Sequence, residues 1–319
     1  MPGHINTYDL AVAWTWPPDE SFVGLLIRAA EEAGVRVLVV DRSAVNAVTE
    51  DLLVGRTRVL WFFDRASDED ESFLSMSRFL AGRSTGGDHD ATLFINHPDR
   101  VHHAADKATM HLEFLAKGLR VPFTRILPPY AEHRDLNIDP ADLEALGCPF
   151  IIKPANTTGG GIGVVMGAMT PGDILTHRRS HPHDKYLVQE TIRPAYFSEN
   201  RGWFRVFHVF DEEILCWWDD QTHVYEEVTG DEERWFALDE LRVMTRSIAG
   251  ICRLNFFSTE IAVTASGTFV AVDYVNETCD MRLQSRHPDG VPDAVVGRIV
   301  RRFISVVAGF QSHSSVQKS

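Results

Sequence analysis

The sequence has no run of about 18 apolar residues, the length a membrane-spanning helix needs. Its start, Met1-Pro2-Gly3-His4-Ile5-Asn6, has neither a basic nor an apolar leader region, so no secretory signal is read. Cysteine is scarce. Cys148, Cys216, Cys252 and Cys279 form no C-x-x-C pair, so neither a zinc ribbon nor a disulfide framework is suggested. Free thiols in a reducing cytoplasm are the plain reading. Positive charge is also short: 31 Lys+Arg against 45 Asp+Glu give a formal net charge of −14. That argues against a nucleic-acid groove or an anionic membrane surface as the main partner. No repeat of 20–50 residues is apparent. No G-x-G-x-x-G follows the first strand and no Walker A loop occurs, so the common nucleotide fingerprints are absent.

What is present is ordinary globular composition, 44% hydrophobic and 24% charged over 319 residues, enough for two or three units. Strand signals at 8–13, 35–40, 58–63 and 91–95 alternate with helix signals at 20–33 and 70–80. This predicts a parallel sheet with crossover helices. A second unit begins near 96–98. A helix is expected over 106–118, with Asp106 where a carboxylate favours a helix start. A short strand lies at 149–154. The final third is strand-rich, with hairpins at 204–218 and 259–272 and one helix at 237–253. Trp217 and Trp218 should face opposite sides of a strand. His102 and His103 read as a solvated pair before the helix. Cys279 has no adjacent histidine to make it a nucleophile.

Three places carry chemistry. Lys153 ends a strand just before a glycine-rich loop, Thr158-Gly159-Gly160-Gly161-Ile162-Gly163. Such a loop with a lysine forms an anion nest suited to a polyphosphate; a hairpin tip with a surface lysine is the alternative. The segment 186–192 can offer backbone groups to a flat heterocycle, or be a plain core strand. Glu260 and Asp273 are spaced for a hairpin pairing. With Asn276 they make an oxygen set suited to a hard cation such as magnesium, against the alternative of solvated carboxylates.

In order along the chain, Lys107, Pro122, Ile151-Ile152-Lys153-Pro154, the loop at 159–163, Gln189-Glu190-x-Ile192, Arg205, Glu260, Asp273 and Asn276 resemble the ATP-grasp superfamily. The resemblance spans roughly residues 96–305. Within the superfamily the chain is similar to D-alanine–D-alanine ligases and to ligases that add amino acids to peptides. The resemblance implies a mixed α/β and α+β architecture. An N-terminal α/β domain would occupy 1–97, a small lid domain 98–188 and a C-terminal α+β domain 189–311, with a frayed tail at 312–319. ATP would lie between the last two domains. Lys107 and Lys153 would contact its phosphates, and Thr158, Gly159, Gly160 and Gly161 would close over them. Gln189, Glu190 and Ile192 would line the adenine pocket, with Glu199 at the ribose. Arg205 would stabilise the transferred phosphoryl group. Glu260, Asp273 and Asn276 would bind Mg2+.

One departure matters. The usual pattern is acid-x-Asn, but two residues separate Asp273 from Asn276. In a regular strand these side chains point to opposite faces. A bulge would bring them together; otherwise Tyr274 takes the acid's place. The segment 276–285 also resembles the ligases' acceptor-holding segment, with Cys279-Asp280 replacing Pro-Gly. Asp280, Arg282 and Ser285 are therefore substrate candidates. Arg282 is expected to meet a substrate carboxylate or else to pair with Asp280. D-alanine pairs are not the expected substrate. The implied reaction joins a carboxylic acid to an amine or amino acid through an acyl-phosphate, releasing ADP and phosphate. A hydroxyl-directed small-molecule kinase and a non-catalytic ATP-binding regulator stay open. A homodimer is common in such ligases.

Overall fold

The computed structural model describes residues 5–84, 91–156 and 161–316. Alternating apolar strands and amphipathic helices build its first layer. The strands β1 (Asn6–Trp14), β2 (Val37–Val40), β3 (Thr57–Arg65) and β4 (Leu93–Phe94) pair in the order β2-β1-β3-β4, all parallel. Central β1 buries four successive residues, Leu10 to Ala13, as a strand covered on both faces must. Helix α1 (Glu20–Glu32) turns Phe22, Val23, Leu26 and Ala30 inward at helical spacing. Helix α3 (Leu74–Ser84) follows β3. Helix α2 (Val45–Leu53), between β2 and β3, was not foreseen, because it buries only Val45 and Leu52 and so shows little periodicity.

Two short helices come next, α4 (Pro98–Ala105) and α5 (Lys107–Ala116). His102 and His103 precede α5, as expected, and lie within α4, which was not foreseen. A small antiparallel sheet then forms from β5 (Thr124–Leu127), β6 (Phe150–Pro154), β7 (Val165–Ala168) and β8 (Tyr186–Glu190), in the order β5-β8-β6-β7. Helices α6 (Pro140–Leu146) and α7 (Pro171–Arg178) complete this unit, which has its own apolar core.

After a two-stranded hairpin, β9 (Tyr196–Phe197) and β10 (Asn200–Arg201), comes a five-stranded antiparallel sheet. Its strands are β11 (Trp203–Val209), β12 (Glu212–Trp218), β13 (Tyr225–Glu227), β14 (Phe256–Val263) and β15 (Phe269–Asn276), in the order β13-β12-β11-β14-β15. Helices α8 (Gly230–Trp235) and α9 (Asp239–Cys252) precede β14. Helix α10 (Asp293–Val316) closes the chain. Trp217 packs towards α9 and α5, while Trp218 packs on the other face with the N-terminal layer.

The structure draws the units differently from the sequence. Helices α4 and α5 pack on the five-stranded sheet, with Ala108, Met110 and Phe114 in one core with Leu241, Ile248 and Tyr274, and the small sheet reaches the same core through Ala155 and Leu187. Strand β8 stays in the small sheet through Glu190, opposite Phe150, so a boundary at 188 would cut it. Helix α10 was not foreseen and is helical as far as 316, into the stretch expected to fray. It joins the outer layers: Phe303 meets Phe63 at 5.2 Å and Phe256 at 5.0 Å, both edge-on.

One buried ion pair fixes the N-terminal layer to the last loop. Arg65 Nε donates to Asp19 Oδ2 at 2.6 Å and its Nη2 to Asp19 Oδ1 at 2.9 Å. The same Nη2 donates to the Cys279 carbonyl at 2.9 Å. The side chains are 2% and 1% exposed, so neither charge has water to fall back on. Asp19→Ala, which strands the guanidinium, should therefore cost about 3–5 kcal/mol in urea unfolding. A loss below about 1 kcal/mol would show that water reaches the pair.

Candidate functional site

The site grows from an irregularity in the last hairpin. Glu260 pairs with Asp273 across β14 and β15, and Ser258 pairs with Asn276. Between these pairs, Thr259 on β14 opposes two residues, Tyr274 and Val275, on β15, which is the bulge that the Asp273–Asn276 spacing requires. Cross-strand partners share a face, as do Ser258 and Glu260, two residues apart. The register therefore brings Glu260, Asp273 and Asn276 to one side of the sheet. Tyr274 does not take the acid's place. It is buried on the opposite face, packed against Phe114, with its ring centroid 5.0 Å from that ring.

Arg205 on β11 pairs directly with Glu260 and forms an ion pair with its Oε1. Trp203, two residues earlier on the same face, donates from Nε1 to Glu260 Oε2 at 3.0 Å. The Arg205 guanidinium lies 4.5 Å from the centre of the Trp218 ring. No acceptor among the described residues reaches its buried Nε. Burial works against the Arg205 charge, but Glu260, Tyr225 and Asp273 outweigh it and hold it above the ordinary guanidinium range.

Two lysines arrive from other elements. Lys153, near the end of β6, is buried and donates to the Val272 carbonyl at 3.2 Å. Burial draws its ammonium below the usual range; Asp273 and Glu260 oppose this, and Lys107 adds to it. Lys107 opens α5, and its backbone N–H donates to the Ala155 carbonyl at 3.1 Å. Asp106 caps that helix by accepting from the N–H groups of Ala108 and Thr109 at 3.0 and 3.1 Å. Burial pushes the Asp273 carboxyl up, but Lys153, Lys107 and Arg205 outweigh it and hold it below its usual range. Glu277 belongs to the same field and was missed from the sequence, although it directly follows Asn276. Burial pushes its carboxyl up, and Lys107 and Asp273 act on it in opposite senses.

Among the described residues no group of three or more His, Cys, Asp and Glu side chains is gathered to hold a metal. The donor set is two carboxylates, Glu260 and Asp273, and the Asn276 amide on one face. These are hard oxygen donors, and their chemistry fits magnesium.

The remaining residues fall out as follows. Thr158, Gly159 and Gly160 lie outside the described residues. Gly161 has φ +77° and Gly163 φ +75°; a Cβ at Gly163 would sit 3.2 Å from Pro154 Cγ, so this turn needs glycine. Glu190 Oε1 accepts from the Phe123 N–H at 2.7 Å, and Ile192 packs beside the outer core. Gln189 is buried; its side chain turns towards Thr124 and Tyr274 instead of towards an open pocket. Glu199 is exposed between β9 and β10.

Arg282 pairs within its own loop, the alternative the sequence left open. Its Nε donates to Asp280 Oδ2 at 2.8 Å, and Nη1 and Nη2 donate to Asp289 at 3.2 and 2.9 Å. Two carboxylates thus engage the guanidinium in this structure. The loop is tight around it: a Cβ on Gly290 would lie 2.6 Å from the Arg282 carbonyl oxygen. Ser285 Oγ donates to Asp293 Oδ2 at 2.6 Å, at the start of α10.

No family model matches the sequence, and no curated protein matches it. Solved structures match along most of the chain. The ATP-grasp ligase PsnB, complexed with a minimal precursor, Mg and ADP, is 15% identical with a TM-score of 0.57, covering 92% of this chain and 98% of that one. A RimK domain protein ATP-grasp from Sphaerobacter thermophilus DSM 20745 is 19% identical with a TM-score of 0.60, at 92% and 98% coverage. The D-cycloserine synthetase DcsG is 12% identical with a TM-score of 0.61, at 93% and 99%. At these identities the likeness shows the fold: the chain has the ATP-grasp fold.

Behind the site, His111 Nδ1 lies 2.6 Å from the Tyr274 hydroxyl. Burial, then the Lys153 charge, lowers the imidazole to about 4. A histidine depressed in the folded state and ordinary when unfolded takes up its proton only on unfolding. Its contribution to stability is thus present above about pH 6.5 and is lost as pH falls towards 4. In NMR titration, the His111 ring signals should not move between pH 8 and 5.5. Movement with a midpoint above 6 would contradict the buried, neutral ring.

Proposed function

We propose that this chain is an ATP-dependent ligase that joins a carboxylic acid to an amine. The observation that carries the reading is the gathering of Lys107, Lys153 and Arg205, from three separate elements, onto Glu260 and Asp273. Clustered cations beside paired carboxylates suit a polyphosphate carried with a divalent ion. The fold supports it, since the PsnB structure contains Mg and ADP and the DcsG structure is of a synthetase.

In this reading Lys107 and Lys153 hold phosphate oxygens, and residues 158–161 close over them and exclude water. Gln189 would serve through its backbone, Glu190 and Ile192 would border the base, and Glu199 has no placed role. Glu260, Asp273 and Asn276 would hold magnesium, which when bound supplies charge neutralisation at the phosphates. The substrate carboxylate oxygen attacks the γ-phosphorus and ADP leaves, giving an acyl-phosphate. Arg205, with a free Nε donor, stabilises the charge on the transferred group. The amine then attacks the acyl carbon; inorganic phosphate leaves and the amine proton passes to solvent. With Arg282 held by Asp280 and Asp289, recognition of the organic substrates falls to other groups of the cleft.

ADP release should be screened with acids and amines singly and in pairs. A ligase needs both partners; release with a lone alcohol would mark a kinase, and none with any pair a regulator. Lys153→Ala should cost about 2–4 kcal/mol of transition-state stabilisation, roughly 30- to 1000-fold in kcat/KM. Unchanged turnover and unchanged nucleotide affinity would remove Lys153 from the site.

A further inference from the structure

The buried face behind the candidate site carries a polar chain that the ligation chemistry does not use. Thr124 Oγ1 donates to the Pro122 carbonyl at 2.8 Å. Gln189 Nε2 donates to Thr124 Oγ1 at 2.8 Å and to the Tyr274 hydroxyl at 2.8 Å. The hydroxyl has one hydrogen left to give, and His111 Nδ1 stands 2.6 Å away. Neutral His111 accepts there, with its proton on Nε2. Each of these four bonds thus has one donor and one acceptor. Gln189, Tyr274 and His111 are 1%, 1% and 3% exposed, so water cannot substitute for a lost partner.

This chain fixes the plane of the Tyr274 ring, and the ring has a cation over it. Lys153 Nζ lies 5.2 Å from the ring centroid, and its hydrogen bond goes to Val272, two residues before Tyr274. Lys153, Gln189 and Thr124 belong to the small sheet; Val272 and Tyr274 belong to the five-stranded sheet. The two sheets therefore meet through one tyrosine at the lysine that faces Asp273. We propose that Tyr274 is a positioning residue: its hydroxyl, pinned by Gln189 and His111, orients the ring that holds the Lys153 ammonium in register with Asp273. A tyrosine beside the acid is possible because strand alternation sends its side chain to the opposite face.

The test uses Tyr274→Phe, which keeps the ring and removes the hydroxyl. In the free protein, Lys153 should be acetylated by limiting acetic anhydride at least threefold faster than in wild type. Exposed Lys117 serves as the internal reference, and peptide mass spectrometry reads the ratio. Gln189→Met, which removes one anchor of the hydroxyl, should move the ratio the same way by less. If Tyr274→Phe proves poorly folded by its melting curve, Gln189→Met decides. An unchanged ratio overturns the proposal.

The second arm rests on the nucleotide reading of the site. Tyr274→Phe should weaken Mg·AMPPNP binding five- to twentyfold in wild type but less than twofold in a Lys153→Met background. Equal losses in both backgrounds would mean a general structural effect and would overturn the positioning role. Should wild type bind no Mg·AMPPNP, the proposed function fails, and the acetylation ratio alone still decides for or against Tyr274.

Discussion

The site depends on an extra residue in β15. Were β14 and β15 paired in regular register, Asp273 and Asn276 would stand on opposite faces, and one would be lost to the core. The bulge opposite Ser258 and Glu260 restores both to the face that carries Arg205. Strand alternation after Asp273 puts Tyr274 on the other face, where its bulk fills space beside Phe114 and its hydroxyl meets His111 and Gln189. The side-by-side placement of the oxygen donors is thus a consequence of the irregular register of this hairpin.

A second constraint is electrostatic. The whole chain is acidic, yet its centre draws three cations together. This is stable because the protein supplies counter-charges: Glu260 takes Arg205, and Asp273 faces Lys153 and Lys107. In the proposed reaction the pairs exchange partners, the carboxylates turning to a divalent cation and the cations to phosphate oxygens. A site that is already neutralised can exchange charges without leaving any of them bare in a low-dielectric interior. Long-range attraction by net charge is then unnecessary, and the local arrangement suffices.

Much of this was legible in the sequence because it is local. The parallel layer followed from apolar runs spaced by helices, and the helix cap at Asp106 from one carboxylate. The hairpin was visible in the spacing of Glu260 and Asp273, and the need for a bulge in the two residues before Asn276. What escaped depends on tertiary packing. Helix α2 buries too few residues to show a period. Helix α10 has a clear apolar face, but its place between the two larger layers is set by residues some 240 positions away, such as Phe63. Arg282 looked available because Asp289, its second partner, is brought close only by the loop at Gly290. Gln189 looked like a pocket residue because sequence shows a strand's composition and not which face turns inward.

The division of cores bears on how such a site can open. The N-terminal layer, α10 and one face of the five-stranded sheet share a continuous apolar core, and Arg65 ties in the last loop. Separating these layers would expose many large side chains, so they form one body. The small sheet has a core of its own, and it also reaches the core beneath α5 and α9 through Ala155, Leu187 and Ile126. Polar links near the site add to this seam: Lys153 to Val272, Gln189 to Tyr274, and Ala155 to Lys107. Breaking hydrogen bonds that can re-form with a ligand or water costs far less than opening an apolar core. The small sheet, joined to the rest by this short apolar seam and by polar links, is therefore held less firmly than the N-terminal layer is.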